Sequence, residues 1–164
     1  MADLTIRLKH ARDGSAALTF VRSDGSVTWQ RQLGSLGVVF PPHDITHFAV
    51  ETVLEYRRGF YGLIADGWDI SDFGSPWLCG PIPVEARVVE RLVSLFEMED
   101  RVGPKWWTRE RCEDGGDSWA ERDGAATPTL SDEALERVRA LRRETLAKWA
   151  ATPPGQTLEL TFTR

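Results

Sequence analysis

The first 32 residues alternate between apolar and polar side chains in the way that half-buried strands do. Alternation is clearest over residues 4–8, and two further apolar-patterned runs follow at 17–22 and 27–32. The last two runs are separated by a turn that contains Asp24 and Gly25. Because Asp-Gly between two such runs is a strong hairpin signal, the pattern predicts three consecutive strands joined by tight turns.

The same period of two returns at the end of the chain, where Leu158, Leu160 and Phe162 alternate with polar residues. A single strand is not stable alone and must pair with another. We therefore expect this fourth strand to pair with the N-terminal hairpin.

Between these strands the apolar spacing becomes helical. Proline suits the first turn of a helix, so one helix is predicted from Pro42 to about residue 58, with a short continuation to 65. A second is predicted over 83–99, and a third begins after Ser131, a good N-cap residue followed by two acidic residues.

The order of these elements predicts an α+β fold in a single domain over residues 1–164. Its antiparallel sheet has about four strands, three N-terminal and one C-terminal, and about three helices cover one face. Residues 100–128 carry several Gly and Pro residues and no sustained period. This segment is predicted to be a long loop containing tryptophans, which is either functional or mobile.

Composition narrows the class of protein. A chain of 164 residues with 41% hydrophobic content suits one domain with a sizeable core, and a net charge of −5 argues against a general nucleic-acid binder. No stretch approaches the roughly 20 apolar residues of a membrane span, and the N-terminus lacks the apolar region of a signal peptide. Cys79 and Cys112 have no metal-type spacing. Two reduced thiols in a cytoplasmic protein are expected.

The main chemical candidate lies in the first predicted helix. His43, His47 and Glu51 recur at every fourth residue, which places them on one face of a helix. Two imidazoles one turn apart can bind a single metal ion, and Asp44 lies between them to give a His-Asp-x-x-His segment.

This segment resembles the His-Glu-x-x-His helix of zinc metallopeptidases, in which both histidines bind zinc and the glutamate activates water. The resemblance implies zinc bound by His43 and His47, with Asp44 or Glu51 as the base or as a residue that orients a ligand. Asp44 is one methylene shorter than the family's glutamate, which leaves its role as the base open. The third ligand is also open, and four residues are candidates: His10, Asp69, Asp72 and Glu51.

The alternative is a non-enzymatic domain with structural histidines, which binds a protein partner or a second copy of itself. On a helical wheel the two histidines lie opposite the main apolar face, beside Val50 and Leu54. A second, mixed stripe of this kind indicates that the long loop or another chain covers it. The tryptophans of the predicted loops are the other candidate contact residues.

A longer segment also resembles bacterial proteins of unknown function. It begins at Phe40, which is followed by Pro-Pro-His-Asp-Ile-Thr-His-Phe-Ala-Val-Glu over 41–51. It continues with Gly-Phe-Tyr-Gly-Leu-Ile-Ala-Asp-Gly over 59–67. The hairpin at 21–26 belongs to the same pattern. This resemblance covers roughly the first 70 residues and implies a bacterial cytoplasmic origin, without naming an activity.

Overall fold

Four strands form one antiparallel sheet in the computed structural model, which describes residues 4–103, 107–108 and 127–164. The strands are β1 (Leu4–His10), β2 (Ala16–Arg22), β3 (Val27–Gln32) and β4 (Thr157–Phe162). Their order across the sheet is β3-β2-β1-β4. The predicted pairing of the C-terminal strand with the N-terminal hairpin is therefore confirmed, because β4 runs antiparallel to β1.

The alternation seen in the sequence separates the two faces of this sheet. Leu4, Ile6 and Leu8 on β1 are buried, as are Leu18 and Phe20 on β2. Ile6 is paired with Phe20 on one side and with Leu160 on the other. The apolar side chains of three strands therefore share one face, which the helices cover.

Within the described residues, four α-helices and one short 3₁₀-helix accompany the sheet. They are α1 (Leu36–Val53), α2 (Phe60–Ala65), the 3₁₀-helix (Ile70–Phe73), α3 (Val84–Val102) and α4 (Asp132–Ala150). Ser131 is the N-cap of α4, and its side chain accepts a hydrogen bond from the Ala134 N–H at 3.1 Å. The α+β architecture is as the sequence predicted.

The bounds of α1 differ from those expected. The helix begins six residues before Pro42, so Pro41 and Pro42 lie inside it and not in its first turn. It ends at Val53 and not near residue 58, because Glu55 adopts a positive φ of 57°, which a continuing helix does not allow.

Helix α1 lies between two apolar clusters. Ile45 and Phe48 pack with the sheet, while Ala49 and Val50 pack with α3 and α4. As a result every residue from 44 to 50 is buried, polar ones included. The helix that carries the histidines is thus the central element of the fold.

The predicted loop over 100–128 is only partly described. Its first three residues are the last three of α3, and Gly103 follows as the C-cap residue. Trp107 is buried, with its ring centroid 4.6 Å from that of Phe96. Residues 104–106 and 109–126 lie outside the described residues. Within the described ranges, no helix combines the length and apolar character that a membrane crossing needs.

Candidate metal centre

His43, His47 and Glu90 form a group that could hold a metal ion. One potential ligand atom of each residue lies within 4.8 Å of those of the other two. Glu90 Oε2 is 3.0 Å from His47 Nε2, and Glu90 Oε1 is 3.7 Å from His43 Nε2. The Nε2 atoms of both imidazoles therefore point at the same carboxylate.

Two helices supply this group. His43 and His47 are one turn apart on α1, and their rings are 4.8 Å apart between centroids. Glu90 comes from α3, which packs along α1 in the antiparallel sense, since the earlier histidine meets Glu97 and the later one meets Glu90. Apolar packing of Val50 against α3 fixes this register.

The Nδ1 atom of each imidazole, which points away from Glu90, lies next to another carboxylate. His43 Nδ1 is 3.0 Å from Glu97 Oε1, and His47 Nδ1 is 3.3 Å from Glu51 Oε1. Metal-binding histidines almost always donate this second N–H to a carboxylate, a carbonyl or water, which fixes the tautomer that leaves Nε2 free for the metal. Both histidines here have such a partner.

Glu51 is held in place by backbone donors. Its Oε2 accepts hydrogen bonds from the Tyr61 N–H at 2.9 Å and from the Gly62 N–H at 3.3 Å. Gly59 allows this approach, because a Cβ at that position would lie 2.5 Å from Glu51 Oε2. Gly59 is thus required by the turn that carries these donors.

Without a metal ion, His47 is a cation. Burial opposes its charge, but hydrogen bonds donated to Glu51 and Glu90 outweigh burial and raise the pKa of His47 to about 10. The hydrogen bond from His47 conversely lowers the pKa of Glu90. An ion bound between His47 and Glu90 would replace the Nε2 proton, and metal sites generally exchange protons for metal in this way.

Asp44 is buried beside the two histidines. Its Oδ2 accepts a hydrogen bond of 2.8 Å from Gln32 Nε2, at the end of β3. Its backbone carbonyl accepts one from the Tyr61 hydroxyl. Burial raises the pKa of Asp44 to about 6, although Gln32 and the histidines oppose the shift. Burial also raises the pKa of Tyr61 well above its usual value, so this hydroxyl keeps its proton.

A cavity of about 400 Å³ opens beside the group. His43, Asp44, His47 and Glu90 form its polar wall, together with Gln30 and Arg87. Its other walls are apolar and come from α1, α2, the 3₁₀-helix, the following loop and α3: Phe40, Phe60, Ile70, Phe73, Ile82 and Ala86. The three potential ligands therefore face a space large enough for a small molecule.

Not every residue proposed from the sequence is part of this group. His10 lies at the end of β1, with Nδ1 3.1 Å from the Thr152 carbonyl oxygen and its ring packed on Trp149. Asp69 pairs with Arg22 and forms a capping box with Asp72 at the 3₁₀-helix. The mixed stripe of α1 is covered by helix α3. From the sequence, the long loop or another chain was expected to cover it.

The sequence pattern did not identify Glu90 and Glu97 as partners of the histidines. They are seven residues apart in a predicted helix, and hence on one face, bordering the buried stripe of Val89, Val93 and Phe96. That spacing is a usable signal for two carboxylates aimed at one neighbour. The identity of the neighbour depends on how α1 and α3 pack, which no local pattern contains.

Comparisons with protein-family models, with curated proteins and with solved structures found no match. The functional argument for this chain therefore rests on the geometry of the His43–His47–Glu90 group and its cavity.

Proposed function

We propose that this protein binds a divalent metal ion, with zinc as the first candidate, through His43, His47 and Glu90. The observation that carries the proposal is the arrangement of the imidazoles: both Nε2 atoms face Glu90 and both Nδ1 atoms face a further carboxylate. Two histidines and one glutamate are a ligand set of catalytic zinc sites, which keep a fourth position for water or substrate.

The same proposal extends to hydrolysis. A metal ion with an open position acts as a Lewis acid and makes bound water more acidic. We assign the uptake and return of a proton to Asp44; this assignment is supported by its position on the cavity wall and by the hydrogen bond that its carboxylate accepts from Gln32. Glu51 holds His47 in the proposed scheme and is not the base, since it is fully buried behind the imidazole.

Elemental analysis of protein purified without an affinity tag or chelator tests the metal proposal. We expect about one equivalent of metal per chain, and its loss in His43→Ala, whose side chain is partly exposed. His10→Ala serves as the control, because the same substitution removes an imidazole outside the group. Equal metal contents in the parent and His43→Ala would contradict the proposed ligand set.

The hydrolytic part is tested with 4-nitrophenyl acetate and zinc-loaded protein. We expect Asp44→Asn to keep the metal and the Gln32 contact while lowering kcat by about 10²-fold or more, as for loss of a general base. An unchanged rate would remove Asp44 from this role. A zinc-loaded parent no faster than free zinc would contradict the hydrolytic part and leave metal binding in place.

A second candidate function is binding to a protein partner or to another copy of this chain, with the histidines as structural residues. It is supported by exposed apolar side chains just before α1 and in its first turn: Leu33, Leu36, Val38 and Val39. Val38 is 72% exposed, which is unusual for valine in a helix. Light scattering at increasing concentration tests self-association, and we expect Val38→Ser to weaken it; a monomer at all concentrations would contradict that version.

A further inference from the structure

The cavity beside the candidate metal centre has two chemically different sides. Its polar wall is formed by the histidines, Asp44 and Glu90, and faces six apolar side chains from separate elements. Phe60 and Phe73 are in ring contact at 4.4 Å, and Phe40 meets the His43 ring edge-on. Cavities of this kind bind the apolar body of a ligand on one side and fix its polar group on the other.

Two carboxylates, Asp44 and Glu90, line the cavity. A divalent ion bound by His43, His47 and Glu90 would offset the charge of both. The six apolar side chains are therefore the feature that decides which ligand body the cavity accepts.

We propose that the substrate is a small ester or amide, whose aromatic or branched apolar acyl group lies against Phe40, Phe60 and Phe73. This inference rests on the metal site proposed above and names the ligand class for it. A metal ion held by His43, His47 and Glu90 would polarise the carbonyl oxygen of this substrate. In the reaction, the oxygen of water bonds to the carbonyl carbon and the bond to the alcohol or amine breaks. The proton taken from water by Asp44 passes to that leaving group.

The test measures binding of two hydroxamic acids to zinc-loaded protein by calorimetry, since a hydroxamate binds zinc whether or not turnover occurs. We expect benzohydroxamic acid to bind at least tenfold more tightly than acetohydroxamic acid, which lacks the apolar body.

Phe73→Ala locates the effect in the cavity. It should remove most of the preference for benzohydroxamic acid without changing binding of acetohydroxamic acid or zinc. Ile82→Ala, in the loop before α3, repeats the test if Phe73→Ala does not fold. Trp77→Ala is the control, because Trp77 is an exposed aromatic residue outside the cavity lining.

The outcomes separate the two proposals. Zinc binding with equal affinity for the two hydroxamic acids would overturn the ligand class and leave the metal site standing. Absence of zinc binding would overturn the metal site and the ligand class with it.

Discussion

Glu97 is the partly exposed member of the two carboxylates that hold the histidines, and Glu51 is the fully buried one. Their distances to the Nδ1 atoms are similar, so both are suited to orient an imidazole. Only Glu97 can be changed without disturbing backbone hydrogen bonds inside the core. A substitution of Glu97 can therefore show an effect on metal binding that is separate from any effect on folding.

We expect Glu97→Gln to lower zinc affinity by roughly 10- to 100-fold, because the neutral amide orients and polarises His43 less well. The melting temperature of the metal-free protein should change little. Calorimetric titration of the variant against the parent measures the first quantity and thermal unfolding the second. Unchanged affinity would mean that Glu97 does not act on a metal ligand.

A matched control for Glu97→Gln is Glu144→Gln. Glu144 forms an exposed ion pair with Lys148 on α4, at 2.7 Å. Such surface pairs contribute little to stability, so neither zinc affinity nor stability should change noticeably.

Gly59 tests the packing behind His47. We expect Gly59→Ala to destabilise the protein by about 1–3 kcal/mol, since its Cβ would lie 2.5 Å from the Glu51 carboxylate. Gly74→Ala is the control, because its Cβ would meet only the Ser71 carbonyl oxygen, at an ordinary 3.6 Å. Chemical denaturation compares the two; equal stabilities would show that Glu51 has room to move.

At the scale of elements, the local sequence pattern predicted those features of the strands and helices that depend on residues close together in the chain. The strands follow from a period of two, and the start of α4 from Ser131 and the acidic residues after it. The predicted start of α1, at Pro42, is six residues too late, because proline is common in the first turn of a helix and here lies further inside it. The burial of residues 44–51, which stabilises the helix beyond the two prolines, is a tertiary effect.

The N-cap of α4 gives a prediction at this scale. Ser131→Ala should lower the free energy of unfolding by about 1 kcal/mol, because the Ala134 N–H loses its side-chain acceptor. Ser94→Ala, at an exposed position inside α3, should be neutral or slightly stabilising, since alanine is the better helix former. A loss of stability as large in Ser94→Ala would contradict this account of the cap.

At the scale of the whole molecule, the candidate site exists because the sheet, α1 and α3 are assembled together. From the sequence, the two histidines and Asp44 were predicted to lie together at a metal site. Glu51 was a candidate for a residue that orients a metal ligand. The sequence did not predict Glu90, which lies 43 residues from His47 and reaches it only through helix packing. His10 is closer to the helix in sequence than Glu90, yet the sheet carries it to Trp149.

Zinc titration of the chelator-treated protein, followed by thermal unfolding, tests the central claim most directly. One zinc ion should bind per chain, and zinc at 100 times its Kd should stabilise the fold by about 2.7 kcal/mol, or raise Tm by roughly 5–10 °C. Glu90→Gln, at a side chain that is 57% exposed, should fold like the parent and bind zinc at least tenfold more weakly. No bound zinc, or equal affinity in Glu90→Gln, would contradict the account.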